Sequence, residues 1–235
     1  MSDYYHVLLD CKNTYKNKLI QCIMPCINRV INNLYIKAKD KTLETNQTQL
    51  ILKYFQDNLK SIKDWDNNTI TKELAKICTL NDISWLDELI RAVFIANYKI
   101  INIINDTKSH SNIDINIEIP NTKLFIHTIY INISRELWKN PYLKYHGYKN
   151  TSLIEKNYSN LDNLIKQNIE DTIDHFLPIE KTLQTFISQL EETQEKKEKE
   201  NKKQEQLKQE QLKQEQIKLE QEQKKQEQRK QEQLK

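Results

Sequence analysis

The chain of 235 residues contains a single glycine, Gly147. Phosphate-cradling loops, dinucleotide-binding turns and nucleophile elbows all need glycine where the backbone turns sharply or meets a ligand closely. One glycine cannot supply them, so those function classes drop out. The same scarcity bears on helix ends. Asn, Asp and Pro stand here where glycine is the usual terminator. Gly147 itself falls in the one aromatic-rich turn, where tight backbone geometry is expected to matter.

Charge narrows the choice further. Thirty-six basic residues face 33 acidic ones, a formal net charge of +3. The segments before and after Glu191 are each close to neutral. A dedicated nucleic-acid binder shows a basic excess or a clustered stripe. Only Arg29, Arg91, Arg135 and Arg229 are available for bidentate phosphate clamps. Weak, salt-sensitive nucleic-acid contact through Lys/Asn-rich helices and the Lys-bearing tail remains as a second reading. The start, Met1-Ser-Asp-Tyr-Tyr, has neither a basic n-region nor an apolar run, and no stretch reaches the ~18 apolar residues of a membrane helix. The expectation is a soluble intracellular protein without membrane insertion. Heavy use of Asn, Ile and Lys fits an A/T-rich coding sequence.

Hydrophobic periodicity points to helices almost throughout. Residues 4–38 carry an apolar stripe that includes Cys11, Cys22 and Cys26, with Pro25 expected to kink or split the helix near Met24. Cys11, Cys22, Cys26 and Cys78 read as small buried hydrophobes. No CxxC pair suggests zinc. A second helix is expected from about Glu44 to Ile62, then a loop at Asp64-Trp-Asp-Asn-Asn and a short helix near Thr71–Cys78. Leu80–Ile104 follows, with Asn81 or Asp82 as its cap. Residues 122–140 are apolar almost all round and read as a central buried helix, stopped at Asn140-Pro141. A further helix spans about Ser152–Leu177, and Pro178 can open another.

One segment breaks the pattern. Residues 113–119, Ile-Asp-Ile-Asn-Ile-Glu-Ile, alternate with period 2, yet no comparable strand exists to pair with them. They read either as an extended segment laid over the helices or as an edge that pairs with another chain. The first is favoured.

The C-terminal 45 residues, 191–235, are a low-complexity Gln/Glu/Lys tail with repeats of Gln-Glu-Gln-Leu-Lys. Its apolar residues recur every five, so Leu207, Leu212 and Ile217 rotate about 140° from one to the next and form no single seam. A solvated fraying helix or a disordered extension is expected rather than a strong coiled coil.

No catalytic constellation emerges, and the sequence implies neither cofactor nor metal. His127 near Glu136 raises an acid–base or metal site, but it has no second histidine at metal spacing. The favoured reading is a hydrogen-bonded core histidine. Trp138, Tyr142, Tyr145 and Tyr148 form an aromatic cluster after a helix end. Such clusters are more often packing, but this one, together with the extended segment 113–119, is the candidate interaction surface.

The segment running from Ile119-Pro120 through Leu124-Phe-Ile-His-Thr-Ile-Tyr-Ile-Asn-Ile-Ser-Arg-Glu-Leu-Trp-Lys-Asn-Pro-Tyr-Leu143 resembles uncharacterised proteins of nucleocytoplasmic large DNA viruses. The resemblance covers about residues 80–190 and includes Phe176-Leu-Pro178. It carries no activity to transfer. It implies a virus-encoded protein, located in the virion or the host cytoplasm. The combined expectation is an all-α domain over residues 1–190, with an extended segment at 113–119 and an appended tail. Its expected role is a non-enzymatic structural or interaction protein, such as a minor virion component, with other virion proteins as partners.

Overall fold

The computed structural model describes residues 2–105, 119–147, 150–180, 183–184, 187–188, 191–209 and 211. The chain divides into two compact units, Met1–Pro178 and Ile179–Lys235. The described residues of the first unit form six α-helices: α1 (Ser2–Glu44), α2 (Ile51–Lys60), α3 (Asn67–Asn81), α4 (Leu86–Asn105), α5 (Thr122–Lys139) and α6 (Thr151–Phe176). Short 3₁₀ turns lie at Thr48–Leu50, Ser61–Asp64 and Pro141–Lys144. No strand occurs among the described residues, so the all-α expectation holds. Residues 113–118 of the alternating segment lie outside the described residues, and Ile119 is half-buried against the core.

The long α1 supplies one side of the core. Ile23, Cys26 and Ile27 are fully buried and pack with Phe55, Ile90, Phe94, Phe125, Ile129 and Ile165. Each such side chain contributes roughly 1.5–3 kcal/mol by leaving water. The aromatic centre is built edge to face: Phe94 meets Phe125 at 5.4 Å, and Phe125 meets Phe176 at 5.9 Å. α5 behaves as the central helix, with Phe125, Ile126, Ile129, Tyr130, Ile133 and Leu137 buried.

Of the kink or split expected at Pro25, the split does not occur, and α1 runs through it unbroken. The residue is exposed, and so is Gln21, whose carbonyl loses its partner to the missing N–H. Water can satisfy that carbonyl, while the buried neighbours Cys22, Ile23, Cys26 and Ile27 hold the helix on its core side.

Helix ends show how a chain so poor in glycine stops its helices. Asn46 (φ 54) and Asp82 (φ 50) take the left-handed conformation that glycine usually supplies. Gln47 N–H then returns to the Thr42 carbonyl at 3.0 Å, and Ile83 N–H to the Cys78 carbonyl at 3.0 Å. These two turns correct the expected boundaries. The second helix starts at Ile51 rather than near Glu44, and Asp82 closes α3 instead of capping α4. Asp66 caps α3 by accepting from Thr69 N–H at 2.8 Å, which starts that helix four residues before the expected Thr71. Hydrogen bonding from the Thr69 side chain, and then from its backbone N–H, holds the Asp66 carboxyl below the ordinary value.

In the second unit the described residues are helical, and those from 191 to 209 are exposed. Leu207 lies open to solvent. Leu212 and Ile217 lie outside the described residues.

Candidate functional site

Three residues of α5 define an uncovered stripe. Leu124, Ile131 and Trp138 are spaced by seven, close to two helical turns, and so fall on one face. Leu124 is 55% exposed and Trp138 40% exposed, while Ile131 is half-buried at the edge of the core. The opposite face carries Phe125, Ile129, Ile133 and Leu137 into the interior.

A groove of about 300 Å³ opens beside the C-terminal half of this stripe. Leu59, Ile131 and Trp138 make its apolar wall, and Lys60, Lys63 and Arg135 stand around it with Lys139 and Glu136. Four cations and one carboxylate therefore line it, and Lys60 is also paired with Asp57 at 3.4 Å. The lining carboxylate is already engaged, since Lys139 Nζ donates to Glu136 Oε1 at 2.6 Å. Lys60 lies 5.4 Å from the Trp138 ring centroid. Gln56 donates to the Trp138 carbonyl at 2.7 Å and fixes the end of α5 against α2. The result is an aromatic edge in a positive field.

The other members of the aromatic cluster are placed differently. Tyr142, 45% exposed, lies in the turn after α5, and its hydroxyl contacts Asn140 Oδ1 at 3.3 Å. Tyr145 is half-buried and lines a separate groove with Tyr35, Lys39 and His146. Tyr148 lies outside the described residues. Gly147 has no positive φ. The constraint on it is a close approach, because a Cβ there would collide with the Tyr145 ring.

His127 serves the structure, as the sequence suggested. Its Nε2 sits 2.8 Å from the Ile62 carbonyl, which requires the tautomer that donates from Nε2. Its ring stacks on Trp65 at 6.1 Å and 6°. Cys22 and Cys26 are buried, and burial pushes both thiols up, away from the reactive thiolate. All four cysteines are free. No group of three or more His, Cys, Asp or Glu suited to a metal occurs among the described residues. No helix among them is long and apolar enough to cross a membrane.

A polar cluster lies deeper, between α1, α3 and α5. Glu73 and Tyr130 are buried, and Arg29 reaches Glu73 from α1. Arg29 Nη2, Glu73 Oε2 and Tyr130 Oη make no direct hydrogen bond. Burial, then the Glu73 carboxylate, pushes the Tyr130 hydroxyl far above its ordinary value, so it stays protonated.

The sequence singled out Trp138 and Tyr142 but missed Leu124, Ile131 and the lysines of α2 and the following turn. The seven-residue spacing of Leu124, Ile131 and Trp138 was the available signal. It is masked by apolar residues on every other face of the same helix.

No curated protein and no solved structure matches the chain. Residues 5–145, more than half of the chain, match a family of unknown function, DUF5764, and the chain belongs to that family.

Proposed function

We propose that the protein is a non-enzymatic interaction protein that docks an acidic amphipathic helix of a partner along α5. The observation that carries this reading is the Leu124–Ile131–Trp138 stripe set beside a groove with four cations and one carboxylate. Helix-in-groove recognition uses apolar anchors at one- and two-turn spacing. Exposed aromatic residues next to cations supply the anchor and set the sign of charge a partner must bring. Tyr142, exposed in the turn after α5, is a further candidate contact. The resemblance to proteins of large DNA viruses supports placing this role in such a virus, with a virion component as partner.

Selection from a library of helical peptides tests the reading. Wild-type protein should enrich sequences with apolar residues at i, i+3 or i+4, and i+7, flanked by Asp and Glu. A Leu124→Ser/Trp138→Ala variant should lose them, and a Trp85→Ala control should keep them. Equal enrichment by wild type and the double variant would remove the proposal.

A second reading rests on the same side chains. Lys60, Lys63, Arg135 and Lys139 around an exposed Trp138 also suit weak contact with a nucleic-acid strand, through phosphates and base stacking. It requires binding that falls steeply with salt. Absence of binding to single-stranded DNA or RNA at low salt disposes of it.

A further inference from the structure

A second groove, of about 500 Å³, lies between the C-terminal half of α1, the start of α2 and the segment 145–147. We propose that it is a binding site for a small organic anion: a carboxylate or phosphate head on an apolar body. Its lining contains Lys39 and His146 and no Asp or Glu. Ile36, Leu43 and Ile51 give it an apolar side. The site is thus divided into a polar end, with Lys39 as its cation, and an oily wall.

The polar end is built rather than incidental. Tyr35 is only 5% exposed, yet it lines the groove. Its hydroxyl oxygen accepts the His146 backbone N–H at 3.3 Å, which leaves its own proton to donate. The Tyr35 and His146 rings sit 5.0 Å apart and hold each other in place. His146 Nε2 is 2.7 Å from the Tyr158 hydroxyl. Lys144 stands behind, 7% exposed, with its ammonium 5.1 Å from the Tyr158 ring centroid. The aromatic face supports this buried ammonium, whose pKa burial holds below the ordinary lysine value.

The field at His146 follows from these neighbours. Burial first, then Lys144 and Lys39, hold its imidazole below the ordinary histidine value. Tyr35 and Lys39 of α1, Lys144 and Tyr145 after α5, and Tyr158 of α6 are the titratable groups around it. Asp162 of α6 acts on Lys144 as a counter-charge, and its Oδ1 accepts from Asn28 at 3.1 Å. An anion in the groove would supply Lys39 with a counter-charge that the described lining does not contain. It would also reverse the shift on His146.

Nuclear magnetic resonance of the full chain tests this with phenyl phosphate and octanoate as probes. Inorganic phosphate and phenol serve as the head-only and body-only controls. Either amphiphile should move the His146 ring signals saturably and raise the pH at which they titrate. The two probes distinguish a phosphate from a carboxylate head. Lys39→Gln should weaken binding about ten-fold, the cost of one charge-assisted contact. Should that variant misfold, the comparison with phenol in wild-type protein still decides. Phenol binding as tightly as phenyl phosphate, inorganic phosphate binding as tightly as either amphiphile, or no response of His146 to any probe would each overturn the proposal.

Discussion

Arg29 on α1 and Glu73 on α3 meet at 3.8 Å, Nη2 to Oε2, with the Glu73 side chain buried. The second Glu73 oxygen accepts from Lys76 at 2.5 Å. Removing one partner from a fully buried pair costs about 3–5 kcal/mol. Arg29 is partly exposed and Lys76 remains, so Arg29→Met should cost about 1–2 kcal/mol. The double variant Arg29→Met/Glu73→Met removes the stranded charge and should recover most of that loss. Urea denaturation of the single and double variants checks it. A double variant less stable than Arg29→Met alone would show that the pair is not what burial makes costly.

Two aromatic residues of α5 should respond in opposite ways. Phe125 is fully buried between Phe94 and Phe176, and Phe125→Ala should cost about 3–5 kcal/mol. Trp138 stands at the rim, and Trp138→Ala should cost less than about 1 kcal/mol. Thermal unfolding followed by circular dichroism separates them. A Trp138 variant that unfolds with the Phe125 variant would make the stripe a core element.

Acid should reveal His146. Its folded-state pKa lies below the ordinary 6.5, chiefly through burial. As pH falls, the unfolded chain therefore takes up this proton first. The neutral imidazole contributes stability that is present above the unfolded value and lost as pH falls through the folded one. His146→Gln should flatten the fall in stability between about pH 7 and about pH 5 relative to wild type. Parallel curves for the two proteins would contradict this.

Much of the helical framework was legible in the sequence, and the reasons for the gaps are physical. The central helix over residues 122–140 was readable because Phe125, Ile129, Ile133 and Leu137 recur at helical spacing. Its exposed face was not. Leu124, Ile131 and Trp138 are as apolar as the buried set, and only tertiary packing decides which face is covered. Pro25 looked like a break because local rules cannot see that it and Gln21 lie on the exposed side of α1. Asp82 looked like a cap for α4, since Asp favours both the start of a helix and the left-handed turn that ends one. The groove at Tyr35, Lys39 and His146 joins residues more than a hundred positions apart, which no local pattern records.

Hydrogen–deuterium exchange with a selected acidic helical peptide tests the central claim most directly. Docking along α5 should slow exchange over residues 122–139 and in the adjoining 57–64, and the effect should vanish in Leu124→Ser/Trp138→Ala. Protection confined to other helices, or protection that survives in the double variant, would contradict the assignment of α5 as the partner-binding face.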